Sequence, residues 1–180
     1  MNLPNKITML RVIMIPFFVA AMLVDAIPCH NYIAVAIFII ASLTDTLDGY
    51  IARKYNLISN FGKFMDPLAD KLLVSSALIC FVALGSMPAW IVIVIISREF
   101  IISGFRLVAS DAGVVIAASW WGKCKTVAQM VMSVLLIVNF SGSVIDLLEQ
   151  ILIYLSLILT VISLIDYLAK NWKVMNDGNM

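Results

Sequence analysis

The sequence predicts an all-α integral membrane protein with six transmembrane helices and both termini in the cytoplasm. The first observation behind this prediction is composition: 63% of the 180 residues are apolar, 13% are charged, and the mean hydropathy is +1.05. A soluble domain is usually about half apolar and about a quarter charged. Lipid must therefore solvate most of the surface. The other two observations are apolar runs of bilayer length and a one-sided distribution of basic residues.

The apolar part of the chain divides at polar, glycine and proline residues into six segments. A transmembrane helix needs about 20 mostly apolar residues, and each segment is close to that length. The expected spans are residues 8–27, 31–53, 67–84, 88–106, 119–140 and 146–170.

Each break between these spans has its own signal in the sequence. The first span has the basic flank of a signal peptide, but Asp25 and Pro28 spoil a cleavage site, so we expect a retained helix. A polar segment follows the second span at Arg53. The third and fourth spans form one uncharged stretch, which the turn signal at residues 85–88 divides. A second polar connection, at residues 141–143, separates the last two spans.

Lys and Arg fix the expected orientation. All twelve lie near the chain ends or around the second and fourth connections, whereas residues 28–32, 85–87 and 141–143 carry none. Basic residues accumulate on the cytoplasmic side of membrane proteins. Both termini are therefore expected in the cytoplasm, as an even number of spans requires.

Charge and cysteine content exclude two other classes of protein. A net charge of +1 provides no basic face for nucleic acid, so we expect no nucleic-acid partner. Cys29, Cys80 and Cys124 are scattered and odd in number, which predicts neither a disulfide framework nor a zinc site.

Four aspartates lie where carboxylates are costly. Asp45 and Asp48 are three residues apart and Asp66 and Asp70 four apart, so each pair lies along one helix face. Asp45 is 14 residues from Asn31, and Asp70 a similar distance from the next outer turn. At about 1.5 Å of rise per residue, both lie about 21–23 Å into the bilayer.

Such a cluster requires cations. Each intramembrane aspartate costs roughly 2.5–3.5 kcal/mol on insertion scales. Oxygen-only clusters suit Mg²⁺ or Mn²⁺, and two such ions would clamp a phosphoryl centre. Arg53 and Lys71 could neutralise part of the charge. The alternative is that the aspartates are helix caps and surface ion pairs at the cytoplasmic ends.

The motif that contains these aspartates is specific. It reads D-x2-D-G-x2-A-R-x8-G-x3-D-x3-D, and its eight fixed positions are Asp45, Asp48, Gly49, Ala52, Arg53, Gly62, Asp66 and Asp70. The chain thereby resembles the CDP-alcohol phosphotransferases. The resemblance implies a six-helix plasma-membrane enzyme, usually a homodimer, with one membrane domain over residues 1–180 and a polar metal-binding cavity at the cytoplasmic side.

The resemblance also implies an activity and roles for residues. Family members transfer a phosphatidyl group from CDP-diacylglycerol to an alcohol and release CMP. Two divalent ions would be bound by Asp45, Asp48, Asp66 and Asp70, with Asp70 also the general base. The CDP site would be formed by Gly49, Ala52, Arg53, Asn5, Thr8 and Gly62.

Further stretches at residues 2–11, 98–106 and 122–130 resemble the branch of the family that uses sn-glycerol 3-phosphate as acceptor. Its phosphate needs cations of its own. By helical rise, Arg106, Lys123 and Lys125 reach the level of the carboxylates, with Arg98 deeper in the bilayer. These four are the candidates for the acceptor phosphate. The alternative is that they extend to lipid phosphates and set the topology.

Two other functions stay open at this point. The same chemistry could use serine, inositol phosphate or phosphatidylglycerol as the acceptor, because the four aspartates do not distinguish between alcohols. A divalent-cation carrier is the alternative from another class. A carrier should have polar groups through the full bilayer depth, whereas here the outer halves of the second, third and fifth spans are almost wholly apolar.

Overall fold

The protein is described by a computed structural model that covers the backbone of residues 3–54, 60–111 and 119–176. The side chains at 3–4, 46–53, 60–61, 63–64, 67, 110–111 and 172–176 lie outside this description. Within the described ranges the chain is all-helical, with no strand. The six helices are α1 (Leu3–Leu23), α2 (His30–Lys54), α3 (Asn60–Ala83), α4 (Ala89–Asp111), α5 (Trp120–Val138) and α6 (Ser143–Asn176). The predicted number and order of helices are confirmed.

The helix ends differ from the predicted ones most at the polar side of the chain, although α1 also ends at Leu23, four residues before the predicted end. α3 begins at Asn60, seven residues before the predicted span, and α6 continues to Asn176. An apolar run measures the part of a helix that lipid can solvate. Backbone hydrogen bonds continue the helix through the polar residues beyond that run.

Within the described residues, three helices are long and apolar enough to cross a bilayer. They cover Asn5–Leu23, Trp120–Val138 and Ser143–Asn171, and a shorter apolar helix covers His30–Asp45. The protein is therefore a membrane protein. The six-span count, the location of the termini and the cytoplasmic cavity stay predictions.

Charges interrupt the apolar character of α3 and α4. α3 carries Asp66, Asp70 and Lys71 within its described part, and α4 carries Arg98, Glu99 and Arg106. Four of these six charged residues, Asp66, Asp70, Arg98 and Arg106, are candidate functional residues.

The predicted turn between α3 and α4 is confirmed. Gly85 has φ 73°, a left-handed conformation that a side chain disfavours. Its N–H donates to the Val82 carbonyl at 3.1 Å, and the N–H of Ser86 donates to the Phe81 carbonyl at 2.9 Å. This pair of bonds is the glycine-terminated helix end known as the Schellman motif.

The described chain forms two compact units. Unit 1 comprises Met1–Ser86 with Val134–Phe140, and unit 2 comprises Met87–Ser133 with Ser141–Met180. In unit 1, α1 packs along both α2 and α3. Phe18 of α1 lies against Phe38 of α2 with ring centroids 5.8 Å apart, and both are fully buried. The single-domain prediction stays a prediction.

Unit 2 is built on the packing of α4 against α6. Phe105 of α4 meets Tyr167 of α6 edge to face, with ring centroids 5.9 Å apart. The first part of α5, up to Ser133, belongs to this unit as well. Polar side chains as well as apolar ones are buried inside it.

Candidate functional site

α1 presents a buried polar stripe to the helices around it. Asn5, Thr8 and Arg11 are spaced by three residues, which keeps them on one helix face, and all three are buried. Further along the helix, buried Phe18 and Met22 make the packed face apolar. The buried surface of α1 therefore changes from polar to apolar along its length.

Arg11 and Thr8 each hold one of the predicted metal ligands. The Nη1 of Arg11 donates to Oδ1 of Asp45 on α2 at 2.5 Å. The hydroxyl of Thr8 donates to Oδ1 of Asp66 on α3 at 2.7 Å. The Arg11 side chain is 0% exposed, whereas that of Asp45 is 36% exposed. The guanidinium is thus fixed inside the protein, and the carboxylate lies at the edge of the packed region.

These two contacts bring carboxylates of different helices to neighbouring positions. Thr8 and Arg11 lie one turn apart on α1, about 5–6 Å between Cβ atoms. Asp45 and Asp66 are therefore anchored within one turn of each other along α1. Asp70 follows Asp66 by one turn of α3 and is half-buried. Their role as metal ligands stays a prediction.

The rest of the predicted metal and CDP site is described only in part. The α2 backbone is helical at Asp48, Gly49, Ala52 and Arg53, but the side chains at these positions lie outside the described residues. Gly62 is buried on α3. Within the part of the chain whose side chains are described, no group of three His, Cys, Asp or Glu residues is arranged to hold a metal ion.

Sequence reasoning missed the role of Arg11. Arg53 and Lys71 are the cations expected to neutralise the aspartates, yet Arg11 makes the ion pair with Asp45. The sequence feature that could have pointed to Arg11 is the spacing of Asn5, Thr8 and Arg11, which predicts a polar face in an otherwise apolar helix. That spacing shows where α1 is polar but does not indicate the partner.

Two of the four acceptor-phosphate candidates lie together in unit 2. Oε1 of Glu99 accepts hydrogen bonds from Arg98 Nη1 at 2.9 Å and from Lys125 Nζ. The Arg98 and Lys125 side chains are 10% and 3% exposed. Arg98 also donates from Nε to the hydroxyl of Ser163 at 3.0 Å.

The other two candidates differ from this pair. Arg106 and Lys123 are exposed, which is compatible with the alternative that they extend to lipid phosphates. Gly122 lies beside Arg98, and a Cβ added there would lie 3.4 Å from its Nη2. A Cβ at this position would therefore make an ordinary van der Waals contact with the buried guanidinium.

α5 adds a second buried polar stripe, of which the sequence alone identifies only Lys125 as a candidate residue. Lys125, Gln129 and Ser133 recur at intervals of four residues, so they lie along one face, and all three are buried. The two amide atoms of Gln129 and the hydroxyl of Ser133 have no hydrogen-bond partner among the described residues. A buried polar group without a partner is costly, so this face is suited to a polar ligand.

The chain is similar to known proteins over most of its length. The family model described as CDP-alcohol phosphatidyltransferase matches residues 1–162. A CDP-diacylglycerol–glycerol-3-phosphate 3-phosphatidyltransferase of Bacillus subtilis is 46% identical over 99% of this chain and 99% of its own length. The protein of the same name from Haemophilus influenzae is 43% identical over 93% of this chain and 91% of its own. A probable phosphatidylglycerophosphate synthase of Mycobacterium tuberculosis is 39% identical over 94% of this chain and 81% of its own.

Proposed function

This chain belongs to the CDP-alcohol phosphatidyltransferase family, and we propose that it transfers the phosphatidyl group of CDP-diacylglycerol to sn-glycerol 3-phosphate, releasing CMP. The observation that supports this proposal most strongly is the 46% sequence identity, over 99% of the chain, to a relative named for that reaction. The protein is thus an enzyme of phospholipid biosynthesis. Its membrane helices suit a donor whose acyl chains stay in lipid.

Asp45, Asp48, Asp66 and Asp70 are the residues that would hold the metal ions of this family, which generally uses divalent metals. Two observations support the assignment: the donors are all carboxylate oxygens, as Mg²⁺ and Mn²⁺ prefer, and α1 anchors Asp45 and Asp66 within one turn. We propose two ions per site, Mg²⁺ or Mn²⁺. When bound, such ions neutralise a diphosphate and improve CMP as a leaving group.

The protein's own residues then have separate tasks. Arg11 and Thr8 hold Asp45 and Asp66 in fixed orientations from α1. Asp70 takes the proton of the primary hydroxyl of glycerol 3-phosphate as the oxygen attacks the phosphorus that bears diacylglycerol. One phosphorus–oxygen bond forms, the bond from phosphorus to CMP breaks, and the electron pair leaves with CMP.

The substrates are assigned to the two buried polar regions. The CDP moiety is assigned to Asn5, Thr8, Gly49, Ala52, Arg53 and Gly62. The acceptor phosphate is assigned to Arg98 and Lys125, which are buried and converge on one point, with Arg106 and Lys123 at its exposed side. Buried basic groups interact with a phosphate more strongly than exposed ones because water screens them less.

The proposal also covers the membrane in which the enzyme lies and its oligomeric state. The basic residues lie on one side of the predicted spans, which favours a plasma-membrane enzyme whose active site faces the cytoplasm. Family resemblance favours a homodimer.

The test is an assay of detergent-purified protein with radiolabelled CDP-diacylglycerol and a panel of alcohols. We expect CMP release with glycerol 3-phosphate in the presence of Mg²⁺ or Mn²⁺, and loss of activity with a chelator until either ion is added back. CMP release with serine, inositol phosphate or phosphatidylglycerol, but not with glycerol 3-phosphate, would assign a different acceptor. Activity that persists in the chelator would contradict the metal site.

A further inference from the structure

The side-chain amide of Gln129 is enclosed in unit 2 with neither of its polar atoms paired. Gln129 is 3% exposed, and Nε2 and Oε1 both lack a hydrogen-bond partner among the described residues. The amide thus has a donor and an acceptor that are removed from water. An unpaired polar group in this position costs free energy, and a ligand that supplies both partners would recover that cost.

Two buried hydroxyls of α6 show how the same unit satisfies other polar groups. Thr160 Oγ1 donates to the Ser156 carbonyl at 2.6 Å, and Ser163 Oγ donates to the Thr160 carbonyl at 3.0 Å. A hydroxyl on a helix can turn to a carbonyl of the preceding turn in this way, and Ser133 on α5 is able to do the same. The oxygen of a glutamine amide needs a donor instead, and the N–H groups inside a helix are already used. Gln129 therefore needs a partner from outside its own helix.

Gln129 lies next to the residues to which the acceptor phosphate is assigned. Lys125 and Gln129 are four residues apart on α5 and both are buried, so their Cβ atoms lie about 5–6 Å apart on one face. Lys125 in turn shares the Glu99 carboxylate with Arg98. A molecule whose phosphate is bound by Arg98 and Lys125 can therefore reach the amide with atoms that are only a few bonds from its phosphorus.

Glycerol 3-phosphate has three polar groups, and the proposed function already uses two of them. The phosphate only accepts hydrogen bonds, so at the amide it would leave Oε1 of Gln129 unpaired and close to an anion. The primary hydroxyl gives its proton to Asp70 and cannot also donate to Gln129. The secondary hydroxyl keeps its proton, so it can donate to Oε1 and accept from Nε2. It is the group of the acceptor that matches the amide.

We propose that Gln129 binds the secondary hydroxyl of glycerol 3-phosphate and thereby selects a phosphorylated diol over a phosphorylated simple alcohol. This inference rests on the proposed function, in which Arg98 and Lys125 bind the phosphate. Gln129 is accordingly a substrate-binding residue that determines specificity. An acceptor without the secondary hydroxyl leaves the amide unpaired in the complex. Any cost that all phosphates share, such as release of Glu99 from the two cations, is equal for two acceptors with the same phosphate.

The experiment compares glycerol 3-phosphate with 3-hydroxypropyl phosphate, which has the same phosphate and primary hydroxyl but no secondary hydroxyl. CMP release by the purified enzyme gives kcat/KM for each, and the ratio of the two values is the acceptor preference. We expect the wild type to prefer glycerol 3-phosphate by about tenfold or more, because two hydrogen bonds distinguish the acceptors. In Gln129→Met the preference should fall to about one, through a lower kcat/KM for glycerol 3-phosphate and an unchanged one for the analogue.

Matched variants separate this role from a structural one. Gln150→Met replaces an exposed glutamine of α6 and should keep the wild-type preference. Gln129→Asn withdraws the amide by one methylene and should lower the preference as well. The melting temperature in detergent without acceptor is the second measurement. Removal of an unpaired buried amide in Gln129→Met should leave it unchanged or raise it, whereas removal of an amide that holds the fold together would lower it.

Three outcomes overturn the proposal. They are a wild-type enzyme that uses both acceptors equally well, an unchanged preference in Gln129→Met, and a lower melting temperature with equal loss of kcat/KM for both acceptors. If Gln129→Met cannot be purified, a wild-type preference in Gln129→Asn overturns it instead. Failure of the proposed function looks different, because the wild-type enzyme would then release no CMP with glycerol 3-phosphate.

Discussion

Arg11 connects α1 to the candidate metal site through its ion pair with Asp45. Its guanidinium is fully buried and donates to Asp45 at 2.5 Å. A buried cation needs a hydrogen-bonded anion, and a carboxylate held this way keeps one orientation. Arg11 therefore acts on the chemistry through Asp45, and we class it as a positioning residue.

The first prediction concerns the substitution Arg11→Met, which keeps much of the side-chain volume and removes the positive charge. We expect the concentration of Mg²⁺ needed for half-maximal activity to rise about tenfold or more, since a charge-assisted hydrogen bond contributes about 1.5–3 kcal/mol. A metal titration of CMP release measures this. Lys6→Met removes an exposed cation from the same helix and should leave the titration unchanged. An identical metal requirement in both variants would contradict the role of Arg11.

Asp70 is the residue on which proton transfer depends in the proposed function. We predict that Asp70→Asn leaves nucleotide binding largely intact and lowers turnover by about 10²–10⁴-fold, the usual contribution of general-base catalysis. Equilibrium binding of CDP and the rate of CMP release measure the two effects. Asp25→Asn, at a side chain that is 92% exposed, is the control and should change neither. Equal loss of binding and turnover would assign Asp70 to metal binding only.

For the individual helices, apolar runs in the sequence predict which segments become helical but not where each helix ends. The apolar runs predicted the order of all six helices correctly, because a helix that lipid solvates must be apolar over about the thickness of the bilayer. They placed the start of α3 at residue 67, whereas the helix begins at Asn60. The seven additional residues mix polar and charged side chains with Phe61, Phe64 and Met65, so a search for a continuous apolar run does not include them.

The same limit applies to the candidate site. Intervals of three and four residues predict that Asp45 pairs with Asp48 and Asp66 with Asp70 on helix faces. Contacts between helices, such as Arg11 with Asp45, depend on tertiary packing that no local interval encodes. In unit 2 the stretches at 98–106 and 122–130 identify the basic residues. Only the structure shows that Glu99 joins two of them.

Alanine substitutions at two glycines test how far the turn between α3 and α4 depends on Gly85. Gly85 has φ 73°, and Ala in that conformation costs about 1–2 kcal/mol. We therefore predict that Gly85→Ala lowers the apparent melting temperature in detergent. Gly104→Ala is the matched control: Gly104 is helical, with nothing within 4 Å of an added Cβ, so Ala should be neutral or raise stability by up to about 1 kcal/mol. A melting temperature that falls equally in both variants would show that the turn does not depend on Gly85.

The distribution of charge along the whole chain favours an enzyme that acts at the membrane interface over a carrier. The described charged residues of α3 and α4 cluster in limited stretches, and the segment between them, residues 72–97, is uncharged. A transport path needs polar groups across the full depth of the membrane. An enzyme whose substrate is a lipid diphosphate needs charged groups only at the level of the phosphates, and the uncharged segment favours this interpretation over a carrier.

The stereochemistry of transfer tests the complete arrangement. Four aspartates can provide metal binding and one base, and the proposed function assigns no residue to attack phosphorus and form a covalent intermediate. The acceptor hydroxyl then displaces CMP in a single in-line step, and we predict that a donor with a chiral phosphorus of known configuration gives a product of inverted configuration. Analysis of recovered, unreacted donor controls for racemisation before transfer. Net retention would require two displacements, and hence a phosphatidyl group carried on a side chain, which would replace the general-base role of Asp70 with that of a nucleophile.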